Sequence, residues 1–451
     1  MPAPSTPRAQ LTLFDAVCII VGIVIGAGIY ETTPVIARSV PDAGWLIALW
    51  IAGGLVSLIG ACCYAELTTA YPYEGGDYIY LTRAYGRRTG FLFTWTGFWL
   101  VTPANIGAIA YIFARYANQI WPLSGHTGFM IYAVAAVVIL TIVNICGVAS
   151  GKWTQNIVTS AKVLGLLVII IIGLFLTSAA SDPAPASNAD AGIDPGLAMI
   201  MVLFTYGGWS NISFVAAEVR NPRKNILRAL ILGTTLITVI YILVNLAFIH
   251  ALGYSGVANA SSVAADLMEV YTGKTGSLLI SALICITCLG NLNGMILTHA
   301  RIYYALGQDH RAYQWLGVWN ARLDAPVTAL VLQAVITLAL IIGLGHADNV
   351  FERLVIFSAP LYWFFFTLVT LSLFILRRKD PPATRHYQVP YYPATPLLFT
   401  LVTCFMLYAS LSYAWQHWHT MIYFTIVVLG TGFLASLYGI KRSDESRDQR
   451  T

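Results

Sequence analysis

The chain has 451 residues, of which 58% are hydrophobic and 10% charged, with a mean hydropathy of +0.72. Soluble globular domains carry about 25% charged residues, so a soluble enzyme or a nucleic-acid binder is excluded and a polytopic membrane protein is left. The net charge of +5 would fit an anionic partner, but the placement of the basic residues assigns it to topology.

The first ten residues, MPAPSTPRAQ, are polar and Pro-rich. The apolar stretch that follows is too long for a secretory signal and lacks a small-residue cleavage site, so no segment is expected to be removed. A membrane-spanning helix needs about 20 apolar residues. Windows of that kind recur twelve times, near 13–37, 43–70, 89–118, 128–147, 154–179, 196–219, 228–252, 276–306, 326–344, 352–376, 396–414 and 419–440. Residues 1–12 and 441–451 are then tails around one membrane domain, 13–440. Lysine and arginine concentrate on the cytoplasmic side of membranes. Here 20 of the 25 fall in alternate connections, the window ends that border them and the tails, while only Arg38, Lys274 and Arg353 belong to the other side and Arg115 and Lys162 are counted with the spans. The asymmetry predicts an even number of spans with both termini cytoplasmic.

Two connections differ in kind. Residues 181–194 form a Pro, Ala and Asp loop without a basic residue, whereas 260–271, ASSVAADLMEVY, have helical spacing and mixed polarity and predict a short amphipathic helix outside the bilayer. The last residues, KRSDESRDQRT, are charged and predicted disordered. All seven cysteines lie in apolar segments, which disfavours a disulfide framework, and the Cys285–Cys288 spacing reads as small apolar residues on adjacent turns of one helix.

The chain is organised by two apolar segments that carry glycines where an uninterrupted span has no use for them: VGIVIGAGIY at 21–30 and FTYGGWSNISFVAAEVRN at 204–221. An unpaired backbone group in hydrocarbon costs several kcal/mol, so irregular backbone survives only beside a cavity or other protein. Interrupted spans at matching places in two halves of a chain point to a transporter's binding site. Four windows separate the breaks and four follow the second, giving two units of five, 13–179 and 196–376, with 396–440 outside the repeat. An odd-numbered unit places its second copy inverted, which is the logic of alternating access.

The chemistry follows from backbone. Gly26 and Gly28 flank Ala27, so the chain can leave helical geometry there. The half-helix beginning at the break presents unpaired N–H groups and the positive dipole end, which suit a carboxylate. The half-helix before it ends in free carbonyls, Val24 among them, that suit an ammonium. The same reasoning gives Phe204 and Gly207 carbonyls at the second break. Two poles without a fixed side-chain charge complement a zwitterion, and amino acids are the obvious zwitterions. The competing reading of either glycine cluster alone is close helix packing of the small-xxx-small kind.

GIVIGAGIY in the first window, CYAELTTAYPYEGGDYIYLTRAYG after the second, FTYGGWSNISFVAAEVRNPRKNILRA in the sixth, NGMILTHARIYYALGQD in the eighth and LRRKD with RHYQVPYYPATPLLF after the tenth together resemble the amino acid–polyamine–organocation superfamily, and within it the L-type amino acid transporters and their bacterial relatives. The resemblance spans nearly the whole chain. It implies an all-α polytopic fold of twelve helices with a LeuT-like 5+5 inverted repeat and discontinuous helices 1 and 6. It further implies neutral amino acid substrates, commonly in obligatory exchange, and no cofactor. Carried over by position, the substrate-binding set is Val24, Gly26, Ala27, Gly28, Phe204, Gly207 and Ser210, with the Ala27 and Gly28 amides on the carboxylate and Phe204 also the aromatic outer gate. Position 27 is often Ser in the family; Ala withdraws a hydroxyl contact and leaves the amide.

Lys162, in SAKVLGLLVII of the fifth window, is an ionisable residue within a span and so a functional hypothesis by default. The residues alone leave snorkelling to the nearer surface equally open. The resemblance places it where sodium-coupled members of the fold hold a cation, joining the first span to the eighth, and so implies sodium independence; Asn291 and Asn293 are its candidate polar partners. A buried lysine can lose its proton, which keeps proton-coupled symport with Lys162 as the titrating group as the alternative mechanism. Asn105, beside Pro103, is a candidate for the side-chain pocket or for an interhelical hydrogen bond. Glu66 and Glu218 read as paired structural charges. His417 and His419 lack further ligands, so no metal site is expected. A channel or a membrane oxidoreductase are distant alternatives, the latter disfavoured because His299 has no matching intramembrane ligand.

Animal L-type transporters join a glycoprotein heavy chain through a cysteine between the third and fourth spans. Residues 119–127, QIWPLSGHT, have none, so no disulfide-linked heavy chain is expected and a stand-alone carrier of a bacterial inner membrane is implied. Without acidic or basic residues beside the breaks, charged side chains would meet a desolvation cost; small neutral L-amino acids are the expected substrates, with membrane lipid as the remaining partner.

Overall fold

A computed structural model of the protein describes residues 11–71, 76–146, 152–177, 193–309, 313–320, 323, 325–345, 349–380 and 387–438. Residues 1–10 and 439–451, most of the 181–194 loop and the side chains of Lys152 and Glu218 lie outside the described residues. Within them the chain is helical; two isolated bridges, Leu11 with Val219 and Asn320 with Ala325, are the only β pairings.

The first window is two helices, α1 (Leu13–Val24) and α2 (Gly28–Ser39), bent by 47° at their junction. Thr12 and Asp15 cap α1 reciprocally, each side chain taking the other's amide, which pairs donors that a helix start leaves free. Then come α3 (Ala43–Ala70), a short α4 (Asp77–Tyr85), and α5 (Arg87–Thr96), which passes through a π turn into α6 (Thr102–Ile120). Helices α7 (Gly125–Ile145) and α8 (Lys152–Ile171) complete the first half. The sixth window is α9 (Pro195–Tyr206) followed by a 3₁₀ segment, Trp209–Glu218. The second half continues through α10 (Pro222–Asn259), α11 (Val263–Asp309), α12 (Val327–Leu344) and α13 (Val350–Lys379); α14 (Ala394–His417) and α15 (His419–Tyr438) close the chain.

Ten of these helices are long and apolar enough to cross a membrane, and eleven spans result if α1 and α2 count as one. The protein is an all-α polytopic membrane protein. The remaining window, 196–219, is interrupted at Gly207 and Gly208, where its glycines predict a break, and differs from expectation only in that its second half is 3₁₀; α9 and the 3₁₀ segment are each too short to cross alone. The amphipathic stretch at 260–271 is helical from Val263 and is separated from the membrane-crossing part of α11 by Gly273, whose φ of 65° breaks the helix.

Small residues set how closely the helices approach. A Cβ on Gly53, Gly54 or Gly60 of α3 would lie 2.3 Å from Val202, 2.3 Å from Thr238 and 2.4 Å from Phe399 respectively. Helix α3 therefore lies directly on α9, α10 and α14, the packing that small residues make possible where lipid supplies no hydrophobic drive. On the face where α1 begins, Glu66 of α3 takes a bidentate pair from Arg377 of α13 and accepts from the Val389 amide. On the opposite face, Asp194 N donates to Ser39 O at 3.1 Å and Arg38 Nη1 to Ala258 O at 2.8 Å. These contacts hold α1–α2 and α9 against the α3–α10–α13 frame, so the two breaks meet at mid-depth.

Candidate substrate-binding site

Helix α1 ends at Val24, where Ile25 leaves helical geometry with ψ 79°, and α2 restarts at Gly28. Helix α9 ends at Tyr206, and Gly208 adopts φ 107°, a left-handed conformation open to glycine and strained for other residues. The breaks touch: a Cβ on Gly208 would sit 2.7 Å from Ile23 Cγ2, and one on Gly28 would meet Thr205 at 3.5 Å. Thr205 and Thr32 hydroxyls bond across the junction at 2.8 Å. The first-turn amides of α2, which have no partner within the helix, thus start beside the last turn of α9.

The carbonyl poles are more occupied than expected. Val24 O accepts from Gly26 N at 2.7 Å and from the Tyr241 hydroxyl at 2.8 Å, and Phe204 O accepts from Gly207 N at 3.0 Å. Tyr241 of α10 also reaches Thr205 O at 3.3 Å, so one hydroxyl ties both breaks together. Its ring packs on Trp50 and Tyr206, at centroid distances of 5.4 and 5.2 Å. One turn along the same face of α10, Asn245 accepts from Thr33 of α2 at 2.9 Å. Sequence reasoning missed Tyr241. The available signal was a tyrosine and an asparagine four residues apart in an otherwise aliphatic span, hence on one helix face.

Ala27 is buried with 1% exposure, Ser210 is buried, and Gly28 and Gly207 are half-buried. The space beside Gly207, between Ser57, Tyr362 and Phe366, is only about 10 Å³, so the breaks face packed protein here. Phe204 is half-buried and meets Phe351 of α13 edge-on at 5.9 Å. Phe351, a second aromatic at the proposed gate, was not anticipated. Asn105 accepts from Ser358 of α13 at 3.2 Å, which is the interhelical bond of its two readings; nothing places it in a side-chain pocket.

Lys162 is buried, with 3% exposure. Its Nζ donates to Gly22 O of α1 at 3.0 Å and to Asn291 Oδ1 of α11 at 2.6 Å, joining the first window to the eighth. The approach is enforced by glycine: a Cβ on Gly165, one turn along α8, would lie 2.3 Å from Leu283 of α11, and one on Gly26 would lie 2.7 Å from Asn291 Nδ2. Asn293 is not a partner of Lys162. It accepts from Asn144 of α7 at 2.8 Å instead, because residues two apart on a helix face different neighbours. Nor are the breaks without charge nearby, as the sequence reading supposed. Glu31 is one turn beyond Gly28, buried, and paired with Arg115 Nε at 3.1 Å.

Comparison with known proteins settles the family. The family model described as "Amino acid permease" matches residues 11–432. The chain belongs to the amino acid permease family. It is 28% identical over 445 residues to the serine/threonine exchanger SteT of Bacillus subtilis (strain 168), covering 97% of this chain and 98% of that one. It is 27% identical over 429 residues to the mouse b(0,+)-type amino acid transporter 1, covering 92% and 86%, and 26% identical over 441 residues to the human cystine/glutamate transporter, covering 96% and 84%. These similarities place the permease in the amino acid–polyamine–organocation superfamily beside L-type transporters, and make it a multi-pass membrane carrier rather than an enzyme.

Proposed function

We propose that this permease exchanges small neutral L-amino acids across the membrane, independently of sodium, by alternating access. In this reading the chain is a twelve-span protein in which α9 and the 3₁₀ segment together form the sixth span. Spans one to five (13–179) and six to ten (196–376) form the inverted 5+5 repeat, residues 396–440 add two helices, and the termini face the cytoplasm of a bacterial inner membrane. The substrate lies between the breaks, its carboxylate on the amides of Ala27 and Gly28 and its ammonium on carbonyls of Val24, Phe204 and Gly207. Gly26 lets the chain turn, Ser210 borders the site, and Phe204 with Phe351 closes it from outside. For the ammonium to bind at Val24 O, the substrate displaces or joins the Tyr241 hydroxyl, which couples occupancy to the contact between the two breaks.

The observation that carries the reading is the Lys162 bridge from Gly22 to Asn291. A built-in ammonium, anchored on a first-span carbonyl and an eighth-span amide, does the joining that a bound metal cation would otherwise do. Exchange is supported by the relative named as an exchanger, and neutral substrates by Glu31 being already paired with Arg115.

Proteoliposomes loaded with unlabelled alanine or left empty provide the test. Exchange predicts rapid uptake of labelled alanine only into loaded vesicles, unchanged when sodium is replaced by choline. Equal uptake into empty vesicles driven by an imposed pH gradient would overturn exchange in favour of proton symport.

A further inference from the structure

A second buried polar cluster lies on the terminal side of the sixth-window break, away from the proposed substrate site. The Tyr64 hydroxyl of α3, Asp77 Oδ1 at the start of α4 and Ser213 Oγ of the 3₁₀ segment are each buried and find no hydrogen-bond partner among the described residues. Tyr64 and Ser213 are each only 1% exposed. Buried polar atoms are almost always paired; here the Tyr64 hydroxyl lies beside Asp77 and Ser213 beside Tyr80, without well-formed hydrogen bonds, so loosely engaged polar atoms from three elements gather around one aromatic pocket.

The surroundings are aromatic. The Tyr64 ring meets Trp209 at 5.1 Å, Tyr80 at 6.4 Å and Phe366 at 5.3 Å, and Tyr362 stacks on Phe366 at 5.2 Å. Tyr80 spends its hydroxyl on Thr68 Oγ1 at 3.1 Å. The titratable groups acting with Asp77 are thus tyrosines: Tyr64 from α3, Tyr80 from α4 and Tyr362 from α13. Among the described side chains of these elements, Glu66 pairs with Arg377, Arg83 with Asp380, and Lys379 donates to Ala84 O at 2.9 Å. No cation balances Asp77 among the described residues.

We propose that Asp77, with the hydroxyls of Tyr64 and Ser213, is a proton-binding site whose occupancy holds the cytoplasmic half of the permease closed. The inference takes its sidedness from the proposed function. As a neutral acid, Asp77 can donate one hydrogen bond and accept another within the dry cluster. As a carboxylate it has hydroxyls and the first-turn amides of α4 to answer its charge but no cation, and it draws in water; in this proposal that hydration parts α4 from the 3₁₀ segment. Burial pushes the Asp77 carboxyl up to about 7, and the Tyr64 hydroxyl draws it partly back. Because the folded-state value is raised, the closed form is favoured at low pH and loses that support as pH rises through about 7.

The test uses the full chain in proteoliposomes at equal inner and outer pH, comparing alanine exchange between pH 6 and 8. The ionised fraction of a group titrating near 7 rises from about one tenth to about nine tenths over this range. Wild-type exchange is expected to rise several-fold, towards a limit of about tenfold. Asp77→Asn is expected to flatten the profile, and Tyr64→Phe to move its midpoint upward by removing the hydroxyl that favours the carboxylate. Infrared difference spectra of the purified protein without substrate give an independent readout: a protonated-carboxyl band lost between pH 6 and 8 in wild type and absent from Asp77→Asn. If Asp77→Asn keeps the wild-type profile, or the band, the site is refuted. Should no amino acid exchange while the band still titrates, the exchange reading fails and the proton site stands.

Discussion

Replacing Lys162 by methionine removes the ammonium while keeping most of the side chain's volume. It leaves Gly22 O and Asn291 Oδ1 without the donors that Nζ supplies at 3.0 and 2.6 Å. A buried acceptor left unsatisfied costs about 1–3 kcal/mol, so two such losses, eased by some rotation of the Asn291 amide, amount to about 2–4 kcal/mol. Because Asn291 also rests against Gly26, the strain falls at the break itself rather than spreading through the bundle. If the loss is felt in the occluded state through which exchange passes, the rate falls by about 30- to 1,000-fold, at tenfold per 1.4 kcal/mol. The assay is initial-rate counterflow of labelled alanine into loaded proteoliposomes, with reconstituted protein quantified. Asn291→Leu should impair exchange too, and the Lys162→Met, Asn291→Leu double variant should lose much less than the sum of the two. Exchange by Lys162→Met within twofold of wild type would refute the idea that this bridge organises the site.

Further expectations follow from the same contacts. Gly208→Ala forces a side chain into φ 107° and against Ile23, a strain of about 1–2 kcal/mol before the clash; exchange should collapse, and adding Ile23→Ala should restore part of it in the same counterflow assay. Tyr241→Phe keeps the aromatic packing but removes the one hydroxyl proton shared between Val24 O and Thr205 O, worth about 1 kcal/mol in all, so exchange should drop by about fivefold with little change in thermal unfolding in detergent. Arg377→Leu removes the bidentate cationic partner of the buried Glu66 carboxylate. Breaking such a pair costs about 3–5 kcal/mol, visible as reduced yield and a lowered melting temperature, and Glu66→Gln in the same background should recover part of it.

The spans and their interruptions were legible because both rest on local physics. Apolar length reports a bilayer crossing, and Gly26, Gly28, Gly207 and Gly208 report where a helix can be left. Four glycines at two places separated breaking from packing only in part, since Gly53, Gly54 and Gly60 of α3 look similar in sequence and serve close contact instead. Which asparagine meets Lys162 could not be read, because it depends on the rotation of α11 about its axis, and that is set by packing on α6 and α8 rather than by its own pattern. Tyr241 was hidden for a related reason: its partners are main-chain carbonyls more than 30 residues away, and carbonyls carry no sequence signature. The 3₁₀ form of residues 209–218 likewise owes more to how Gly208 redirects the chain than to any periodicity in WSNISFVAAE.

The central claim, that main-chain groups at the two breaks hold both ends of one zwitterion, is tested most directly by end-modified competitors. Inhibition of labelled alanine exchange is measured with L-alanine, L-alanine methyl ester and N-acetyl-L-alanine. The account predicts strong inhibition by alanine and at least a hundredfold weaker inhibition by either modified compound, the loss expected when a charged end can no longer meet its partners and costs about 2.7 kcal/mol. Inhibition by the ester or the acetyl compound equal to that of alanine would contradict it.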